Sequence, residues 1–442
     1  MDNSLSESEF LGTERIGKIL FRIAPPVMLA QLIQALYNIV DSFFVGKYSD
    51  NALTALTVIF PIQLVIIAFA VGTGVGVNTY MASKFAQDRE EDAQNAAGTG
   101  TVLAVITWAI FALISAIFMR IYVNASANVP AAVEYAVTYG KIVCIGSLGA
   151  FLEGNWTKVH QAHGNMKLPM IAQIIGAVVN IILDPILIFG IGFVPEMGVA
   201  GAAYATIAGQ FVSAVITGIK GFRKPPNHKK MPHYVRRIYR YGYPSILMQA
   251  LYTVYIMALN MILAGFSDSA VTVLGLYYKM QSFFFIPLLG LQTCIIPVLS
   301  YNFTQANYAR CKRTMRDSFI ISMAFMVVGI ICFVFFPDKI IGLFSQNQEV
   351  HNIGKIAFPI IGSSFISAVF SLILPVFFQA IGSGRASMFL SLTRQIFCLL
   401  PSFWLFSRLG LNYAWLAFPV SETLAGAIGL FLYFRQTRIW GI

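Results

Sequence analysis

The stretch "SDNALTAL" at 49–56 returns as "SDSAVTVL" at 267–274, a shift of 218 residues. The same shift sets Arg22 against Arg240, Pro26 against Pro244, Gln31 against Gln249 and Tyr37 against Tyr255. It holds further along, where Gly72, Phe85 and Gln87 meet Gly290, Phe303 and Gln305, and "QAHGNMKLPM" (161–170) meets "QAIGSGRASM" (379–388). One register kept over about 150 residues marks an internal duplication. The fold is therefore one motif used twice.

Composition says what kind of motif. Of 442 residues, 57% are hydrophobic and 11% charged, with a mean hydropathy of +0.72, values that belong to an integral membrane protein. Nearly uncharged stretches of about 20 residues, long enough to cross a hydrocarbon core as helices, recur along the whole chain. They are read as twelve spans: 19–46, 52–83, 95–119, 133–160, 169–190, 198–220, 241–265, 270–302, 316–336, 352–380, 386–407 and 412–434. The polar start, "MDNSLSESEFLGTER", lacks the apolar region of a cleavable signal peptide, so the first span is expected to direct insertion. With the N-terminus inside, inner segments hold 23 of the 30 lysines and arginines and outer loops hold four, Lys47, Arg120, Lys339 and Arg408. The positive-inside rule then places both ends in the cytoplasm.

The net charge of +11 owes much to "KGFRKPPNHKKMPHYVRRIYR" at 220–240. That run reads as a cytoplasmic topogenic linker touching lipid headgroups rather than as a nucleic-acid surface. It divides the chain into an N-terminal six-helix lobe (1–222), a linker (223–240) and a C-terminal six-helix lobe (241–442). The expected fold class is all-α integral membrane, with two six-helix bundles related by a pseudo-twofold axis along the membrane normal. Two such bundles leave a cleft, and a cleft that opens alternately to either side is the mechanical logic of a secondary transporter. No G-x-x-x-x-G-K-[ST] loop points to ATP as the energy source. The five cysteines are scattered without a CxxC pair, so neither a disulfide framework nor a zinc site is expected. An integral-membrane enzyme would need a nucleophile or metal cluster at one interface, and the sequence offers none.

Two acids stand in apolar surroundings: Asp41 in "LYNIVDSFFVGK" and Asp184 in "NIILDPILIFG". An ionised carboxylate at the bilayer centre costs from about 3 to over 10 kcal/mol, which makes its presence a functional hypothesis. Counting along the first and fifth spans puts both in the outer half of the membrane. Asn180 precedes Asp184 by one helical turn, and Tyr139 on the inward-running fourth span falls at a similar height. Gln34, Asn38 and Asp41 form an i, i+4, i+7 stripe on the first span. Two carboxyl groups, an amide and a phenol at one level point to a buried ion site, and carboxyls sharing a dry site suit the uptake and release of a proton. The repeat carries Leu259 and Ser402 at the positions of the two acids. The fold itself does not require them.

Other polar residues are weaker candidates. Lys279, about two turns into the eighth span, is a possible substrate or gating residue, as is Glu153 on the fourth, which is expected near the cytoplasmic interface. Lys141 and Glu422 are undecided, and His160 and His163 are expected to be solvated in an inner loop. "GTGVG" at 72–76 follows no strand, so it reads as small residues for close helix packing rather than a nucleotide loop. Pro25 and Pro26 remove hydrogen bonds from the first span and predict a bend below Asp41; Pro185 acts beside Asp184.

With "LYNIVDSFFVGK", "GTGVG…SKFAQ", "NIILDPILIFGIG" and "GVAGAAYAT" in place on a twofold six-helix layout, the chain resembles the multidrug and toxic compound extrusion (MATE) transporters over essentially its whole length. The acids on the first and fifth spans are similar to those of the family's DinF-like branch, in which an N-lobe carboxylate cluster is tied to cation coupling. That resemblance implies ion-coupling roles for Asp41, Tyr139, Asn180 and Asp184, and a conformational role for Pro26. NorM-like members, with acids for sodium in the C-terminal lobe, resemble it less. The hydroxyl that some DinF-like relatives offer early in the sixth helix is Ala202 here. The resemblance implies an antiporter exporting amphipathic, often cationic compounds in exchange for protons, or for sodium. The alternative is a lipid-linked oligosaccharide flippase of the same superfamily, for which more helices and a cationic cavity are expected. A major-facilitator transporter would carry a Gly-rich basic signature where this chain has "KFAQDREEDAQ". No cofactor is expected. The expected partners are drug-like amphipathic molecules, a coupling cation and the bilayer, with no nucleic acid and a monomeric protein.

Overall fold

Every regular element in the computed structural model, which describes residues 10–126, 130–192, 194–342 and 347–441, is a helix. The first half comprises α1 (Ile16–Tyr48), α2 (Asp50–Phe85), α3 (Glu90–Ser126), α4 (Pro130–Gly146), α5 (Leu148–Ala162), α6 (Lys167–Phe189) and α7 (Val199–Gly218). The second begins with α8 (Met231–Ala264), α9 (Asp268–Phe284), α10 (Ile286–Thr304), α11 (Tyr308–Phe335) and the short α12 (Pro337–Gly342). It continues through α13 (Gln348–Gly362), α14 (Phe365–Ala380) and α15 (Gly384–Leu392), then a wide π turn (Thr393–Leu399) into α16 (Leu400–Ser407), α17 (Leu411–Ala414) and α18 (Ala417–Ile439).

Among the described residues, ten helices are long and apolar enough to cross a membrane, and two bent pairs, each taken as one span, raise the count to twelve. Helix α4 meets α5 at 43°, and α13 meets α14 at 55°. Corners of that size deflect a helix without reversing it, so each pair reads as one broken span. Ser147, at the first corner, moves by the repeat shift of 218 onto Phe365, which opens the arm beyond the second corner. The duplication thus extends to the irregularities. At the α9–α10 break, Pro287 stands in the first turn of α10, where its missing N–H is not needed.

Several helices outlast the hydropathy that announces them. Helix α8 starts at Met231, inside the basic run, and α1 starts at Ile16. Lysine, arginine and tyrosine are compatible with a helix, so the hydrogen-bonded ladder continues beyond the hydrocarbon. Side chains close some of the ends: Asn307 accepts from the Arg310 N–H at 3.3 Å and Asn347 from that of Glu349 at 2.8 Å.

The chain forms two compact units, one holding Pro25–Gln249 and the other Leu11–Ala24 with Ala250–Ile442. It passes between them inside α1 and α8. In the first unit, α2 and α8 approach so closely that a Cβ on Gly76 would stand 2.2 Å from the Ile238 carbonyl oxygen, and one on Gly242 2.6 Å from that of Gly72. The "GTGVG" glycines therefore serve helix contact. In the second unit, Phe333 packs against Phe358 and Phe365 with ring centroids 5.0 Å apart in both pairs. There too the Arg310 guanidinium donates to the carbonyls of Leu11 at 3.2 Å and Glu14 at 2.7 Å.

Candidate functional site

Asp41 and Asp184 both lie in the first unit and both point inward; Asp184 is 0% exposed and Asp41 8%. Helix α6 delivers Asp184 from a buried stripe of Ala172, Gly176, Ala177, Asn180, Asp184 and Ile188, spaced at helical intervals. Pro185 adds a local effect, since it has no N–H to offer the Ile181 carbonyl one turn back. The charge of Asp41 acts on Asp184, on Tyr139 and on Tyr37.

Asn180 and Tyr139 join the same cluster. The Asn180 Nδ2 donates to the Thr206 hydroxyl at 3.5 Å, and Gln63 donates to the Tyr139 hydroxyl at 3.4 Å. Tyr139 also exchanges a hydrogen bond with Thr206. Four buried acceptor oxygens in the cluster, Asp41 Oδ1, both of Asp184 and Asn180 Oδ1, have no hydrogen-bond partner among the described residues. Buried acceptors with nothing to accept from are expensive. Protons on the carboxyl groups, or a hard cation among the oxygens, would relieve that cost.

Several expectations change. The stripe on α1 is Gln34, Tyr37 and Asp41, with Tyr37 hydrogen-bonded to Gln34, whereas Asn38 is exposed. Both patterns fit a 3.6-residue period, and the period alone does not say which flank faces inward. Ala202 is buried in the apolar core, and Thr206, one turn further along α7, supplies the hydroxyl instead. Neither Thr206 nor Gln63 was singled out in the sequence; a threonine one turn from an expected hydroxyl position was the available signal. Glu153 is held by side chains of the bundle: its Oε1 accepts from Thr157 at 2.9 Å and Gln173 at 3.1 Å, and its charge acts on Tyr37. His160 is 5% exposed rather than solvated, its Nε2 2.9 Å from the Thr217 carbonyl. His163 packs on Phe85 with centroids 4.6 Å apart. His160 lies in the last turn of α5, and His163 is the residue that caps its end.

In the second unit, Lys279 is exposed on α9. Glu422 is buried, and its partner is Arg394, a residue inside the span expected over 386–407. Pro26 lies within α1, two residues past Ala24, the last residue of α1 in the second unit.

The model of the MatE family matches this chain twice, over 26–186 and 244–404. The chain belongs to the MatE family. The two matches begin 218 residues apart, the shift already found in the sequence. A probable multidrug resistance protein NorM from Thermotoga maritima is 27% identical over 364 residues, covering 78% of this chain and 76% of its own. A FAD transporter from Shewanella oneidensis is 24% identical over 441 residues, with 96% and 95% covered. A solved MOP-superfamily transporter from Pyrococcus furiosus superposes with a TM-score of 0.91 at 22% identity, over 98% of this chain and 99% of its own. The MATE fold, with two six-helix halves in a multi-pass membrane transporter, is thus the fold of this chain.

Proposed function

We propose that this MATE protein is a multidrug exporter of the cell membrane, an alternating-access antiporter that moves amphipathic, often cationic compounds outward in exchange for protons, with sodium as the second candidate ion. One observation carries the coupling reading: two mutually interacting acids, Asp41 and Asp184, are buried in one unit with acceptor oxygens that have no partner among the described residues. Protonation removes the charge from such groups, and deprotonation restores it, so occupancy by a cation changes the electrostatics that α1 and α6 must accommodate. The likeness to a probable multidrug resistance protein supports the substrate class.

The test is dye movement in proteoliposomes under an imposed proton or sodium gradient. Acceleration by the proton gradient is expected. Movement of a lipid-linked sugar, with no gradient driving any dye, would replace the proposal with the flippase reading. Within the cluster, Thr206→Val removes the hydroxyl beside Asn180 and Tyr139 at nearly constant volume. It is expected to slow coupled efflux about tenfold, about 1.4 kcal/mol, with Thr206→Ser close to the parent. Equal rates for Val and Ser would remove Thr206 from the site.

A further inference from the structure

The second unit buries a charge pair that the coupling reading leaves unused. Arg394, on the π turn, donates from Nε to both oxygens of Glu422 of α18 at 3.0 and 2.9 Å and from Nη2 to Oε1 at 2.7 Å. The two side chains are 10% and 8% exposed. Ser371 of α14 also donates to Glu422, and Ser421 donates to the Arg394 carbonyl at 2.7 Å. Tyr252, Tyr255 and Tyr277 lie in the field of Arg394. Tyr255 is the repeat counterpart of Tyr37, the tyrosine beside the acids of the first unit. Each unit therefore sets a charged site against the same aromatic position. The charges themselves are not inherited, since Arg394 and Glu422 correspond to Gly176 and Tyr204.

Packing gives no reason to keep such a pair, because apolar residues of the same volume would hold the helices as well or better. π turns inside helices frequently mark functional positions. Which member a ligand replaces follows from acid–base chemistry. One proton neutralises a glutamate, whereas a guanidinium stays charged at any pH a cell meets. The pair therefore opens on the Glu422 side. What remains is a planar fork of donors whose geometric match is a carboxylate or a phosphate, with tyrosine rings nearby to take an aromatic body.

We propose that Arg394 binds the carboxylate or phosphate group of an amphipathic aromatic anion, which takes the place of Glu422 as that residue takes up a proton from the bulk solution. One anion and one proton enter together, so the net charge of the site is unchanged. The site lies within one unit and does not depend on Asp41 or Asp184.

The full-length protein in phosphatidylcholine nanodiscs would be titrated with pyrenebutyrate and with a pyrenylmethyl-trimethylammonium cation. Glu422→Gln removes the internal competitor and is expected to tighten pyrenebutyrate at least about tenfold. The double variant Arg394→Gln/Glu422→Gln leaves no unpaired ion in the core. It is expected to bind pyrenebutyrate at least about tenfold more weakly than the parent, with the cation unaffected in both variants. Where the single variant does not fold, parent against double variant decides. Unchanged pyrenebutyrate affinity in the double variant, or equal loss of anion and cation, overturns the proposal. Adding phosphatidylglycerol separates two sources of the anion: competition with the probe assigns the site to a lipid phosphate, and its absence to a free organic acid.

Discussion

Asp184→Asn is expected to abolish gradient-driven transport, lowering its rate at least about a hundredfold, about 2.7 kcal/mol, without unfolding the protein. The two outcomes separate because of where the residue sits. Asp184 is fully buried and neither of its oxygens has a partner among the described residues, so an isosteric amide breaks no hydrogen bond described there and removes a group that is costly to ionise. Thermal stability is accordingly expected to hold or rise while coupling is lost. Asp41→Asn is expected to behave alike, since each acid acts on the other. Dye efflux from proteoliposomes, with a thermal melt on the same preparations, reads both quantities. Full coupling in both variants would remove the acids from the mechanism.

The second large effect is on folding. Gly76→Val is expected to destabilise the first unit by about 3 kcal/mol, at the upper end of overpacking costs. Its Cβ alone would meet the Ile238 carbonyl oxygen at 2.2 Å. That obstacle is backbone in a neighbouring helix, so no rotamer change relieves it, and the freed space would have to come from separating α2 from α8. By contrast, Gly17 has open space around its Cβ position, and Gly17→Ala is expected to leave the melt within a few degrees. Melting temperatures of the two variants in one detergent would show the difference. Equal values would mean that the close approach of α2 and α8 adds nothing to stability.

The sequence made the architecture legible because hydrocarbon imposes its own arithmetic: an uncharged stretch of about 20 residues crosses the bilayer whatever its neighbours do. The repeat shift then fixed six spans per half without recourse to contacts. Asp41 and Asp184 were legible for a related reason, since a carboxylate in an apolar run is anomalous on its own. What escaped was every feature decided by facing rather than by composition. Tyr37 and Asn38 sit side by side on α1, and only packing selects Tyr37. Thr206 and Gln63 look like ordinary polar residues in long helices until the fold brings them to Asn180 and Tyr139. Arg394 was not singled out although it stands inside the span 386–407; its partner is 28 residues away on another helix. His160 looked like a loop residue because hydropathy ends the fourth span where the helix does not end.

The corner at Ser147 has a further implication. Helices α4 and α5 have 17 and 15 residues, about 25 and 22 Å at the usual rise, each short of the roughly 30 Å of oil they must traverse. Neither arm reaches both headgroup layers alone, so the joint belongs at a depth where no solvent arrives. A carbonyl left loose there has only the protein to turn to. The Ser147 hydroxyl meets the Cys144 carbonyl at 2.7 Å, doing in the dry middle what a water molecule does at an open surface, and the elbow carries its own wetting with it.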